Sequence, residues 1–391
     1  MGALTVSSPI SDAKSRPGRV LHVTTRYVRG GAERNMERVM LAEVDAGWDV
    51  HFAVGAESNL DVMPPGVTVH RLERLGRAIR PRDDLHTLLQ IRRLIRKERF
   101  DVVHTHESKA GAVGRAAAYA TSAVVVHTVH MPSFGPGYGR VGSWVYRSAE
   151  RICARTTDVY VVVGDELRTL YLAGGVGHPQ QFLTLRSPVE IERFSAVRFR
   201  TGESVLRHRH EFGLDPALPV VVSVGRFDVR KRHSLLIERL SPALERGAFQ
   251  LALAGEGPEE AALRELVKTR RLEAGVHFLG HVVRVECLLG GADVLVHASR
   301  CEGVPQVVLQ ALAAGVPVVA TDVEGLREVP DAPIVIVDRS GDELLAATLR
   351  CLADPPTAIP LERLAPWTEC EINRALRDLA HRIQAAAGRG A

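Results

Sequence analysis

Eleven short runs rich in β-branched residues punctuate this chain in two separate series, with stretches of helical spacing between them. The first series comprises Arg19-Val-Leu-His-Val-Thr-Thr, Asp49-Val-His-Phe-Ala-Val, Asp101-Val-Val-His-Thr-His, Ala123-Val-Val-Val-His-Thr-Val and Asp158-Val-Tyr-Val-Val-Val. The second comprises Pro219-Val-Val-Val-Ser-Val-Gly, Phe249-Gln-Leu-Ala-Leu-Ala-Gly, Val276-His-Phe-Leu-Gly, Ala292-Asp-Val-Leu-Val-His, Val316-Pro-Val-Val-Ala-Thr and Pro333-Ile-Val-Ile-Val. Apolar positions at Leu85, Leu88, Leu89 and Ile95 predict a helix over 85–97, and others are expected over 33–46 and 367–383. Alternating strands and helices imply parallel sheets covered on both faces. The expected fold class is α/β, with two doubly wound Rossmann-like domains over 19–200 and 201–366. Residues 186–217 are expected to cross between them, and the last helix (367–391) to pack back on the first. Two such domains place a cleft between the carboxyl ends of their sheets, where open α/β sheets take ligands.

Composition narrows the function. A chain of 391 residues accommodates two cores. Aromatic residues make up only 5%, which disfavours a base-stacking surface. Residues 1–200 hold 28 Lys and Arg against 20 Asp and Glu, and the remainder holds 22 against 26. The basic first half suits an anionic partner, and within it residues 71–100 hold ten basic and four acidic side chains. Five scattered cysteines without a Cys-x-x-Cys pair point to a reducing compartment. The polar segment 1–18 is expected to be a disordered tail rather than a signal peptide. No run approaches the ~18 apolar residues of a membrane span.

The residues that carry chemistry concentrate in the second half. Gly225-Arg226 ends a strand and Lys231 follows, so two cations share one loop. Arg can grip phosphate oxygens in a fork and Lys adds a point charge. Further on stands Glu302-Gly303-Val304-Pro305-Gln306-Val307-Val-Leu-Gln310. Gly303 permits close backbone approach, and Pro305 suits a helix start, whose free N–H groups can hold a diphosphate. An eight-residue spacing would place Glu302 and Gln310 on one helix face.

These pieces resemble the family-4 glycosyltransferases of GT-B fold, marked by a Glu-x7-Glu element that reads here Glu302-x7-Gln310. The resemblance also rests on Gly30-Gly31-Ala-Glu33, His104-Thr-His106-Glu-Ser108-Lys109, His127-Thr-Val-His130, Gly225-Arg226 with Lys231, Gly255-Glu-Gly257-Pro258, Phe278-Leu-Gly280 and Thr321-Asp-Val-Glu-Gly325. Their order and spacing follow the family from about residue 19 to 385. The resemblance implies that Arg226 and Lys231 bind the donor diphosphate and stabilise the departing charge. Glu302 would contact donor sugar hydroxyls, and His130 would sit under the anomeric centre. Gly30, Gly31, Gly225, Gly280, Gly303, Val304, Pro305, Gln306 and Val307 would line the donor. Gln310 stands where the family carries a ribose-binding Glu, and an amide lacks the carboxylate's two charged acceptors. His106, Ser108 and Lys109 would meet the acceptor.

The expected activity is therefore retaining transfer of a hexosyl or N-acetylhexosaminyl group. The donor would be a nucleotide sugar, with UDP favoured, and the acceptor a hydroxyl on a small or lipid-linked molecule. The leaving phosphate would take the acceptor proton on the same face. A silent nucleotide-sugar-binding scaffold and an epimerase on the same architecture are the alternatives. No cofactor or metal is expected: Asp-x-Asp is absent, the cations flanking His208 and His210 disfavour an ion, and His104 and His106 are read as pointing to opposite faces of their strand. The Gly137-x-Gly139-x-x-Gly142 run lies too far beyond a strand to be a dinucleotide fingerprint and is read as a flexible loop. The expected location is cytoplasmic, with a basic face available to the membrane, and the expected partners exclude nucleic acid.

Overall fold

The computed structural model describes residues 18–28, 31–61, 63–199 and 201–387. The expected tail, apart from Gly18, and Gly30 lie outside the described residues. The first domain is built on a parallel sheet of β1 (Arg19–Thr24), β2 (Asp49–Gly55), β3 (Val67–Leu72), β4 (Val102–His106), β5 (Val124–Val129), β6 (Val159–Val162) and β7 (Phe182–Thr184), in the order 3-2-1-4-5-6-7. The second is built on β8 (Val220–Val224), β9 (Gln250–Ala254), β10 (Val276–Gly280), β11 (Val294–His297), β12 (Val318–Thr321) and β13 (Ile334–Val337), in the order 10-9-8-11-12-13. Each order reverses beside its first strand, which opens a crevice at the carboxyl ends. Central strands such as Val102–His106 and Gln250–Ala254 are buried along their whole length, as parallel strands covered on both faces must be.

Two strands depart from the sequence reading. The run at 158–163 does not close the first sheet, because the three residues of β7 pair outside it. On the opposite edge, β3 alternates apolar and polar residues, Val67-Thr-Val-His-Arg-Leu, and pairs only with β2. The crossover also differs. Ile191–Ser195 and Gly202–Glu211 are helices, and Val189, Ile191 and Phe194 bury themselves with Leu288, Leu309 and Trp367 in a core of the second domain. By packing, the second domain therefore starts near Val189, ahead of the expected boundary at 200.

The chain then returns. Trp367 is almost fully buried in that second-domain core, and its carbonyl accepts from the Val189 N–H. The helix Glu369–Ala387 inserts Ile372, Leu379 and Ile383 among Val20, Val50 and Val126 of the first domain. The two sheets are thus joined twice, at the crossover and by this helix, and both joints lie beside Trp367. No described helix is long and apolar enough to cross a membrane.

Candidate functional site

The domains meet through backbone rather than through side chains alone. A Cβ added to Gly303 would stand 2.0 Å from the His130 carbonyl oxygen. Gly325, at φ +84°, lies on the other side, where a Cβ would stand 2.2 Å from the Gly303 carbonyl oxygen. Only glycine fits either position. Val304, beside them, packs against hydrophobic clusters of both domains.

Polar contacts run along the same seam. The Glu166 carboxylate accepts from the backbone N–H of Gly325 at 2.7 Å and of Arg327 at 3.1 Å. Glu328 reciprocates, accepting from the Glu166 N–H at 2.7 Å and from Arg186 at 3.1 Å. Arg300 donates to the Gly137 carbonyl at 2.8 Å, and Arg230 lies 3.0 Å from the Met131 sulfur. The run 137–142 is therefore held against the second domain, and a helix, Arg140–Cys153, already begins within it. The loop read from its glycines forms only as far as Gly139, where the helix takes over.

Against this seam stands the acid–cation pair. Lys231 Nζ donates to Glu302 Oε1 at 2.6 Å, and His297 Nε2 lies 3.3 Å from the same oxygen. Burial opposes ionisation of Glu302, but the Lys231 charge and His297 outweigh it and hold the carboxyl far below its usual range. Glu302 is thus a fixed anion. The loop that presents Lys231 is clamped by Arg232, whose backbone sits at a left-handed φ of 51°. Its guanidinium donates to the carbonyls of Ala298, Ser299 and Arg339 and to the Thr321 hydroxyl. Sequence reasoning missed Arg232 and His297. The signal was their position, one residue after Lys231 and at the end of the strand before Glu302. Arg226 is exposed at the mouth of the same loop.

The helix after Glu302 covers Gln306–Ala313, with Pro305 as its N-cap. Glu302 therefore sits in the preceding loop, and the expected common helix face with Gln310 does not exist. Gly303 and Pro305 break the register between them. Gln310 is half-buried on that helix, while Val307 faces inward into the second-domain core. Gln306 reaches the other domain, with Nε2 3.4 Å from the Ser187 carbonyl, and a Cβ on Gly31 would lie 3.9 Å from its Cγ. Gly225 and Gly280 flank the end of β9 from its two neighbouring strands: Gly225 N–H donates to the Ala254 carbonyl at 2.9 Å, and Gly255 N–H donates to the Gly280 carbonyl at 2.8 Å.

On the first domain, the expected acceptor residues do not converge on open space. Ser108 Oγ lies 2.8 Å from Ser133 Oγ, in a network with Tyr171 and Glu150. Lys109 pairs with Asp84 at 2.7 Å and donates to the Ala78 carbonyl. His106 is buried. Glu107 between them adopts a φ of 58°, rare for a residue with a Cβ. Its carboxylate accepts from the Thr25 N–H at 3.2 Å and so fixes the loop leading to Gly31.

His104 and His106 point to the same face, since strand side chains alternate with a period of two. Their rings stack at 4.4 Å, and His22 joins them from β1. Ring nitrogens of the three approach within 4.8 Å of one another. Stacked rings aim their in-plane lone pairs side by side, not at one tetrahedral centre. Burial pushes the His130 imidazole down to about 4. His104, His106 and His127 are driven well below their ordinary value, first by burial and then by nearby cationic groups: His22 beside His104, His104 beside His106 and Arg115 beside His127.

Two family profiles match the chain, one described as "Glycosyl transferase 4-like domain" over residues 30–184 and one as "Glycosyl transferases group 1" over 218–354. The chain belongs to the family-4 glycosyltransferases. It has the GT-B fold and is a glycosyltransferase. It is 26% identical over 272 residues to the UDP-Gal:alpha-D-GlcNAc-diphosphoundecaprenol alpha-1,3-galactosyltransferase of Escherichia coli, covering 68% of this chain and 69% of that one. Among solved structures, the sucrose-phosphate synthase of Thermosynechococcus elongatus aligns with a TM-score of 0.75 at 22% identity, over 95% of this chain and all of that one. Anabaena HepE in complex with UDP aligns with a TM-score of 0.69 at 16% identity, over 94% of this chain and all of that one.

Two expectations follow for this glycosyltransferase. Gly303→Ala must push the Glu302 loop off His130, and ångström-scale misplacement of reacting groups costs about 100-fold in rate. Steady-state kinetics should show that loss with the melting temperature little changed, whereas near-normal kcat would mean the seam is unimportant. The second concerns pH. Histidines held neutral in the fold regain a value near ~6.5 when unfolded. The unfolded chain then binds more protons below that pH, so stability is full above it and falls as pH drops towards the His130 value of about 4. Urea midpoints measured across this window should decline, and less steeply for His130→Gln.

Proposed function

We propose that this glycosyltransferase moves a hexosyl or N-acetylhexosaminyl group from a UDP-sugar to a hydroxyl of a lipid-linked or small acceptor, with retention and without a metal ion. The observation that carries the reading is the Lys231–Glu302 pair at 2.6 Å, in a loop whose next residue abuts His130 across the seam. In the proposed mechanism the diphosphate lies between the start of helix Gln306–Ala313 and the two cations Arg226 and Lys231, which together offset the charge that grows as the glycosidic bond breaks. Glu302, kept ionised, accepts from donor sugar hydroxyls. No side chain is needed as base, because the departing phosphate oxygen is on the face from which the acceptor hydroxyl approaches. Uridine is favoured by the UDP in the HepE complex and by the UDP-galactose in the name of the E. coli relative.

The lipid-linked acceptor is supported by the same relative and by one surface. The helix Arg140–Cys153 exposes Val141, Trp144, Val145 and Ile152 next to Arg140, Arg147 and Arg151, while the basic helix Pro81–Glu98 exposes Leu85 and Leu89. An apolar row edged with cations suits an anionic lipid surface. Trp144→Asp should lower co-sedimentation with phosphatidylglycerol vesicles and leave binding to phosphatidylcholine alone unaffected. Equal sedimentation of variant and parent would remove this part of the reading.

The donor is tested by melting the protein with UDP-, GDP-, ADP- and dTDP-sugars in EDTA. A selective rise is expected with UDP-sugars. Ligand at about 100-fold over its Kd adds about 2.7 kcal/mol to stability. The rise should shrink in Lys231→Ala and grow in Gln310→Glu, which restores two charged acceptors for ribose hydroxyls. A flat response to all four donors would refute the site, and a response only with Mg²⁺ would refute metal independence.

A further inference from the structure

Behind the seam, one polar line crosses the first domain. Glu43 Oε2 lies 2.6 Å from His22 Nε2, His22 Nδ1 lies 3.0 Å from His106 Nε2, and His106 Nδ1 lies 3.2 Å from His130 Nε2. The four residues come from the helix Gly31–Asp45, from β1, from β4 and from the turn after β5. His22 and His106 are fully buried, and Glu43 reaches partial exposure at the far end. A neutral imidazole has one N–H and one bare nitrogen, so in such a line each ring's tautomer dictates the next.

We propose that Glu43 sets the tautomer of His130 through His22 and His106. A carboxylate only accepts, so His22 carries its proton on Nε2 and donates it to Glu43. Its bare Nδ1 then accepts from His106 Nε2–H. The bare Nδ1 of His106 in turn accepts from His130 Nε2–H. His130 Nδ1 is left without a proton, and this atom is buried with no hydrogen-bond partner among the described residues. It is an acceptor held ready for a hydroxyl of the bound sugar. The opposite tautomer would present an N–H there and lose that bond. His104 stands outside the line, with its Nε2 2.7 Å from the Thr128 hydroxyl. Glu43, His22 and His106 are positioning residues: they act through His130. The burial that keeps His106 and His130 neutral maintains the single-proton rings on which the relay depends. The step rests on the proposed placement of His130 at the donor sugar.

The experiment uses the full-length protein labelled with [15N]histidine, in which long-range 1H–15N correlations report the protonated nitrogen of each ring. His130→Gln assigns the signal. His130 in the parent should be a single Nε2–H tautomer. Glu43→Leu should give a mixture, and Glu43→Gln, whose amide oxygen can accept the same bond, should restore the single form. With a UDP-sugar that the protein turns over, kcat should fall at least about tenfold in Glu43→Leu, with KM little moved, and recover in Glu43→Gln. A parent His130 protonated on Nδ1 overturns the proposal, as does a tautomer indifferent to Glu43→Leu or one that changes without loss of turnover. The tautomer is read without ligand. Failure of every nucleotide sugar to bind would therefore strike the donor assignment alone and leave this result standing.

Discussion

Everything at the cleft depends on two backbones touching where a side chain would ordinarily separate them. Gly303 lies on the His130 carbonyl, with Gly325 pressed on its other side. That stack fixes the distance between two sheets whose cores are otherwise separate, and it does so at the carboxyl ends of the strands. A β-carbon at either glycine would need room that main chain already occupies, and main chain cannot move aside as a flexible side chain can. The Glu166 and Glu328 contacts are different in kind. They are hydrogen bonds between carboxylates and backbone N–H groups, one of them at the start of a helix, which water can replace as the domains part. The glycine stack sets how near the domains can come, and the polar contacts hold them there reversibly. A transferase that must admit one substrate and release another is served by that division.

The charges follow from the same geometry. Glu302 and Lys231 neutralise each other at 2.6 Å, so neither stands as a bare buried charge. On the proposed reading, an arriving diphosphate competes with Glu302 for Lys231, while Arg226, exposed at the rim, is the first cation it meets. Freed from part of its ion pair, Glu302 would turn to sugar hydroxyls. Binding of donor phosphate and of donor sugar would then be coupled through one carboxylate, without any large movement of the loop that Arg232 clamps.

The alternation of strands and helices made the two-sheet fold legible, because parallel strands buried on both faces leave unbroken apolar runs. What escaped was at the edges. β3 alternates and β7 is three residues long, so neither produces such a run. The segment after Arg186 was legible only as a crossover because its helices have only five and ten residues, and the burial of the first depends on partners about a hundred or more residues away. In the site, glycines and charges were readable as types but not as pairings. Lys109 seemed free for an acceptor until Asp84, on the neighbouring helix, claimed it. Glu302 and Gln310 were counted along a helix that Gly303 and Pro305 delay until Gln306.

The histidines show best why such readings stop short. Taken singly, His22, His104 and His106 are polar residues in apolar strands and His130 directly follows one, each costly to bury. Strand order 2-1-4-5 brings β1, β4 and β5 side by side, and the register pairs His22 with His104 directly. His22, His106 and His130 then satisfy one another while His104 turns to Thr128, and the line ends on one acidic residue at the outside and one unpartnered nitrogen at the seam. A chain of mutually satisfied rings could be buried anywhere. One that ends unsatisfied, next to the backbone contact on which the two domains close, leaves a polar group unpaid unless a ligand completes it.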